Sequence, residues 1–220
     1  MRAAAKVSYV DIVVVVDDGS SDGTGDIARD AGAVVTQHRR NRGKAAAMES
    51  GAEAVRVLDQ LAHAPRALLF LDADLEDTAA AAGPLVQPIV DDEADMTIAI
   101  LPPQYRPGGG RGRVVRLSSG GIVRATGFTP TQPLSGQRCL TRAAFDAALP
   151  LARGFGVETG LTIDLLRAGF RVREVEVPFH HRVTGTDWRA KVHRGRQFAD
   201  VARALASREV RERLRRGAAR

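Results

Sequence analysis

The chain has 220 residues, 44% hydrophobic and 26% charged, with a net charge of +6, which is enough for one well-buried core and short for two. No apolar run approaches the roughly 18 residues of a membrane span, no signal-type segment follows Met1–Lys6, and the single Cys139 excludes an internal disulfide and a Cys-rich zinc site. These features predict one domain over residues 1–205 of a cytoplasmic protein. Charge is uneven: residues 182–220 hold 12 Lys/Arg against 4 Asp/Glu, a basic end that suits an anionic partner. Residues 206–220 are expected to fray as a basic tail.

In chain order, Asp11–Val16 is a β-branched run that reads as a buried strand and stops at Asp17-Asp18-Gly19-Ser20-Ser21-Asp22-Gly23-Thr24. Glycines at 19 and 23 permit a tight strand-to-helix turn, and Asp22 or Thr24 can cap the following helix. A short helix over Ile27–Ala31 ends at Gly32, and Ala33–Thr36 reads as another strand. His38-Arg39-Arg40-Asn41-Arg42-Gly43-Lys44 is a cationic loop running into a helix with Met48, Ala52, Val55 and Leu58 on one stripe. Lys44 would sit in that helix's first turn, where a cation is disfavoured unless an anion such as a diphosphate joins it. The loop lacks Walker spacing.

Leu68-Leu69-Phe70-Leu71-Asp72-Ala73-Asp74 is an apolar run ending in two carboxylates. Such a run suits a strand covered on both faces, which places the acids at the sheet edge where ligands bind in open α/β sheets. If the chain stays extended, Asp72 and Asp74 point the same way and form half of a Mg2+ or Mn2+ site completed by substrate phosphates and water. Beyond them, a helix from Pro84 to Val90, a strand over Met96–Leu101, a mobile loop over Pro102–Gly112 and a helix over Arg113–Thr126 are expected. Leu134–Leu140 leads to Thr141, an N-cap for Arg142–Leu149. Phe155–Ala168 reads as a helix with Glu158 at its start, Phe170–Val177 as a half-exposed strand closed by Pro178, and Trp188–Leu205 as a helix carrying Lys191, Arg194 and Arg196. His180-His181-Arg182 follows that last strand. Alternating strands and helices predict an α/β fold, an α/β/α sandwich with a mostly parallel central sheet.

Taken together, Asp17-Asp18-Gly19-Ser20-Ser21-Asp22, Asn41-Arg42-Gly43-Lys44, Asp72-Ala73-Asp74, Gly136-Gln137-Arg138, Gly156-Val157-Glu158-Thr159-Gly160-Leu161 and His181-Arg182 resemble, in order, the motifs of family 2 glycosyltransferases of the GT-A fold. The branch containing glucosyl-3-phosphoglycerate synthase is the nearest likeness. The resemblance implies that Asp17, Asp18 and Ser20 contact the nucleotide, that Lys44 approaches base or phosphates, and that Asp72, Asp74 and His181 hold Mg2+ or Mn2+ bridging a donor diphosphate. It implies that Glu158 serves as catalytic base in an inverting reaction or binds hydroxyls in a retaining one. Gly136, Arg138 and Arg182 fall on the acceptor side, Arg138 able to grip a phosphate or carboxylate. The partners implied are a UDP- or GDP-sugar donor and a phosphorylated or carboxylated acceptor.

The family normally opens with a strand, a Pro-x-x-Asn-Glu-like loop and a helix ahead of the strand at Asp11. The present sequence starts as though in that helix's last turn, with the start codon inside the gene, and so lacks the usual first strand. A strand edge exposed in this way favours homodimers. Three other expectations stand beside small-molecule transfer: a polyprenyl-phosphate acceptor with the basic C-terminal helix on a membrane face, a non-catalytic nucleotide-sugar-binding remnant, and no nucleic-acid partner, because the basic end lacks interleaved aromatics.

Overall fold

β1 (Val14–Asp17) pairs in parallel with β2 (Val34–Gln37) through helix α1 (Thr24–Asp30), with Val14 opposite Val34 and Asp17 opposite Gln37. The computed structural model describes residues 1–60, 64–102, 112–180 and 188–218, and of these 188–194 and 218 by backbone alone. A second, four-stranded sheet has the order β3 (Leu68–Phe70), β5 (Arg138–Leu140), β4 (Met96–Ile100), β6 (Val172–Glu176). β4 and β6 are parallel, whereas β5 runs antiparallel to both neighbours. The alternation of strands and helices thus gives the α/β class. What it did not mark is β5, whose three residues are too few for a periodicity to register.

Helix α2 (Lys44–Asp59) spans both sheets. Gly51 lies against Val16 of β1, while Met48 and Ala52 are buried in one core with Leu68 of β3. At the other end, Arg66 joins Asp11 ahead of β1 (2.7 Å) to Asp59 at the close of α2 (2.6 Å). β1 and β3 therefore start at the same end of the molecule, and their acidic termini emerge together at the other. Among the described residues no strand pairs with both β1 and β3.

The four-stranded sheet is covered on both faces. On one, α2, α5 (Arg142–Ala147) and α6 (Val157–Arg167) enclose Met96, Ile98 and Leu140 with Phe145, Leu161 and Leu165, and Phe70 stacks on Phe145 at 5.6 Å. On the other, α3 (Gly83–Val90) and the 3-10 segment Ala73–Ala81 bury Ala99, Cys139 and Val177 with Leu75, Leu85 and Phe179. Met1–Val7, expected as the end of a helix, forms a 3-10 turn at Ala4–Lys6 that tucks Ala3 and Val7 into this second core. The split follows the alternation of a pleated strand: in β5, Leu140 faces the first core and Cys139 the second.

Helices α4 (Arg113–Thr126) and α7 (Trp188–Ala218) pack beside α6. The expected end at Leu205 and frayed tail are corrected here, because α7 continues to Ala218. Arg208 is buried against Asp164 and the Gly160 carbonyl, and Arg213 pairs with Glu209 and Arg216 with Glu212 one turn back. The Pro102–Gly112 loop lies outside the described residues except at its ends, as do His181 and Arg182.

Candidate active site

The acidic turn after β1 is held by its own side chains. Asp17 is buried and accepts the Ser20 N–H (2.8 Å) and the Gln37 amide (3.0 Å). Asp18 accepts the Arg42 and Gly43 N–H groups, each at 2.8 Å, and contacts His38 Nδ1 at 2.6 Å. Burial works against charge on Asp18, but the His38 ring and those N–H groups outweigh it and hold its carboxyl below the ordinary value. Gly19 sits in the left-handed region (φ 85°), and a β-carbon there would lie 2.7 Å from the Arg40 carbonyl carbon and the Asn41 nitrogen. The first acidic motif and the cationic loop are therefore one folded unit that sets where α2 begins.

His38 is the residue that motif reading passed over. Its Nε2 lies 2.9 Å from Ser50 Oγ, so Asp18, His38 and Ser50 form a continuous chain of polar contacts. The arrangement resembles a nucleophilic triad, but Ser50 sits inside α2, where backbone N–H groups are spent on the helix and none is free as an oxyanion donor. Its evident work is to fasten loop to helix. The register offered the clue: with Asp17 opposite Gln37, the next pair along the ladder is Asp18 and His38.

At the end of β3, Asp72 is extended (φ −73°, ψ 144°), but the chain turns into the 3-10 segment at Ala73. The extended i, i+2 argument for Asp72 and Asp74 therefore does not hold, and Asp74 lies in the first turn of that segment. Asp72 meets Lys44 Nζ at 3.0 Å and accepts the Gln137 amide at 2.8 Å. Lys44 Nζ also meets Glu158 Oε1 at 2.9 Å, and the Glu158 side chain is only 8% exposed. One ammonium from α2 thus joins a carboxylate two residues past β3 to one from α6. Burial disfavours that ammonium, yet Glu158 and Asp72 together hold its pKa above the ordinary lysine value. The electrostatic conflict expected for Lys44 at a helix start is relieved by these two side chains. Gly136 makes the meeting possible, because a β-carbon there would lie 2.9 Å from Asp72 Oδ2 and closer still to the ammonium.

Arg138 requires a correction. It is 1% exposed, and its guanidinium donates to the carbonyls of Ser135, Pro133 and Glu158 and to Thr162 Oγ1. Burial pushes its pKa down to about 10 even with Glu158 and Glu174 nearby. Each of the three guanidinium nitrogens is engaged inside the core, so the side chain braces the loop and the start of α6 in place of gripping an acceptor. The structure brings together Lys44, Asp72, Gly136 and Glu158, with Gln137 added. Ser20 and Asp18 belong to the neighbouring turn, and His181 and Arg182 fall outside the described residues. Among the described residues no three His, Cys, Asp or Glu side chains converge as a complete metal cage. A dication bridging a diphosphate needs only one or two carboxylates; Asp72, just past β3, and Asp74, in the turn that follows, are the acids nearest that edge.

A family model described as glycosyl transferase family 2 matches residues 4–144. A Haloferax volcanii protein named glycosyltransferase AglJ is 33% identical over 182 residues, which is 80% of this chain and 56% of that protein, so the chain spans little more than half the relative's length. A crystal structure of glucosyl-3-phosphoglycerate synthase from Mycobacterium tuberculosis in complex with Mn2+, uridine-diphosphate-glucose and phosphoglyceric acid is similar at TM-score 0.67 and 26% identity, covering 94% of this chain and 74% of that one. Mannosyl-3-phosphoglycerate synthase from Rubrobacter xylanophilus shares the fold at TM-score 0.66 and 24% identity, over 92% of this chain and 64% of that one.

Proposed function

The chain belongs to glycosyl transferase family 2, and on that premise we propose that it moves a sugar from a nucleoside diphosphate donor, with Mg2+ or Mn2+, to an anionic small-molecule acceptor of the phosphoglycerate kind. The observation that carries the reading is the Lys44–Asp72–Glu158 cluster at the strand ends, where a cation and two carboxylates from three elements meet within 3.0 Å. Similarity to a synthase solved with Mn2+, uridine-diphosphate-glucose and phosphoglyceric acid supports the donor and acceptor classes.

Asp72 and Asp74 would hold the dication, which when bound offsets the charge that builds on the leaving diphosphate. Lys44 supplies a fixed positive charge beside it, already desolvated and oriented, so that little reorganisation accompanies the reaction. Gly136 leaves room for that ammonium, and Gln137 aims Asp72. Glu158 presents a buried carboxylate to a sugar or acceptor hydroxyl, and the anomeric configuration of the product separates a base from a hydroxyl-binding role. His181 and Arg182 remain candidates for the third metal ligand and an acceptor contact. The test is product formation from UDP-glucose and 3-phosphoglycerate with Mn2+. Sugar transfer abolished by Asp74→Ala and by Glu158→Gln is expected, and absence of transfer from every UDP- and GDP-sugar would contradict the proposal.

A second partner is supported by the outer face of α7, where Val210 and Leu214 are 56% and 68% exposed among Arg211, Arg213 and Arg215. Apolar side chains set among arginines fit an anionic lipid surface. Salt-sensitive sedimentation with phosphatidylserine vesicles, reduced by Leu214→Ser, is expected. Equal recovery with neutral and anionic vesicles would exclude this contact.

A further inference from the structure

The segment that carries Glu158 is pressed against α7 at three glycines. A β-carbon at Gly154 would overlap the Asp200 carboxylate. At Gly156 it would lie 2.7 Å from both Ala204 Cβ and the Asp200 carbonyl oxygen, and at Gly160 2.6 Å from Arg208 Nη2. The approach is also bonded. Asp200 Oδ2 accepts the Phe155 N–H (3.2 Å), and the Arg208 guanidinium donates to the Gly160 carbonyl (3.3 Å) and to the Asp164 carboxylate. Arg167 closes the loop by donating to the Arg208 carbonyl (3.1 Å). Glu158 lies between these two fastenings, three residues after Phe155 and two before Gly160, in the first turn of α6. Asp200 and Arg208 are eight residues apart on α7, roughly 12 Å along a helix. They brace the polypeptide on both sides of Glu158, although neither bonds to the Lys44–Asp72–Glu158 cluster.

We propose that α7 is a positioning element for Glu158, with Asp200 fixing the turn before it and Arg208 the turn after it. The inference deepens the sugar-transfer reading and, for its kinetic part, rests on it. α6 begins at Val157, directly after a 3-10 turn at Gly154–Gly156, so Glu158 sits in the first helical turn, where backbone N–H groups lack partners within α6. Arg138 already holds the Glu158 carbonyl from the sheet side, and the contacts with α7 hold the backbone on either side of it, so that Glu158 Oε1 stays 2.9 Å from Lys44. A displacement of the reacting groups of about 1 Å is enough to cost on the order of a hundredfold in rate.

The sequence provides a probe, because Lys6, Lys44 and Lys191 are its only lysines. Lys6 is exposed at the far N-terminus and serves as an internal reference. Acylation of Lys44 relative to Lys6, read by mass spectrometry on the intact folded chain, reports whether Glu158 still holds the ammonium, with Glu158→Gln, which removes the charge, setting the value for a lost ion pair. Asp200→Ala is expected to raise Lys44 labelling toward the Glu158→Gln level. Asp200→Asn, which keeps an oxygen to accept the Phe155 N–H, should restore it. Gly156→Ala, which pushes the two segments apart by a different route, should act like Asp200→Ala and substitutes for it if that variant does not fold.

In sugar transfer, Asp200→Ala should lower kcat roughly tenfold to a hundredfold and should add almost nothing to Glu158→Gln, since non-additivity is the mark of residues acting through one another. Labelling at the wild-type level in a cooperatively melting Asp200→Ala or Gly156→Ala chain overturns the inference, and so do rate losses that multiply with Glu158→Gln. A wild-type chain that transfers no sugar contradicts the function proposed above, yet the labelling still decides the positioning.

Discussion

Lys44 is the residue on which two strand ends converge, and its cost and use have the same origin. An ammonium on a side chain only a third exposed is unfavourable on its own; two carboxylates within 3.0 Å keep it charged and aim it. Gly136→Ala should therefore disturb the site more than the fold: UDP affinity in the presence of Mn2+ is expected to fall about tenfold or more, equivalent to about 1.4 kcal/mol, while the melting temperature moves by only a few degrees. Unchanged affinity would show that the close approach at Gly136 has no part in donor binding. Acid sensitivity also belongs to single residues. Asp95 is held low by the Arg171 guanidinium and backbone N–H, and Asp18 by His38 and two loop N–H groups against the opposing pull of burial. A depressed carboxyl contributes stability that is complete above its unfolded value of 3.8 and is lost as pH falls through its lower folded value. Melting temperature should hold from neutral pH to about 5 and drop below about 4, with Asp95→Asn reducing the drop. A flat profile to about pH 3 would contradict these assignments.

Element by element, packing of α7 against α4 and α6 tells neighbouring glycines apart. Gly121 in α4 lies so close to Leu205 that a β-carbon would overlap that side chain, whereas Gly120 has open space around its missing β-carbon. Gly121→Ala should destabilise by about 1–3 kcal/mol through overpacking, and Gly120→Ala should stabilise by about 0.5–1 kcal/mol through helix propensity alone. Urea midpoints of the two variants check the contrast, and shifts of the same sign would show that α7 does not pack at Gly121. Thr141 caps α5 by accepting the Ala144 N–H at 3.1 Å, so Thr141→Ala should cost about 1 kcal/mol. Long elements were legible because periodicity and punctuation agree: Arg113–Thr126 was expected and found at the same residues. β5 was not, because it is three residues long and its place between β3 and β4 is decided by pairing partners far away in sequence. The end of α7 was misread because composition registers arginines as a solvated tail, whereas the buried Arg208–Asp164 pair depends on a partner 44 residues earlier.

At the scale of the whole molecule, two sheets joined across α2 and tied by Arg66 at their starts deliver two acidic turns to one edge. That the acids after β1 and β3 lie at strand ends could be read from the chain, because apolar runs stop abruptly at Asp17 and Asp72. Which acids face a ligand could not. Asp17 and Asp18 are consumed by their own turn and loop, Arg138 by the core, and the pairing of Lys44 with Glu158 joins residues brought together only by the packing of α2 against α6. The edge, on the function proposed above, binds a nucleoside diphosphate through a dication held by Asp72 and Asp74. The most direct test is calorimetric titration of UDP and GDP into the chain with and without Mn2+, alongside Asp74→Ala. One diphosphate is expected to bind, only with Mn2+ present, and to lose its binding in Asp74→Ala. Binding that is indifferent to the metal or to that substitution, or no binding of either nucleotide, would contradict the proposed function.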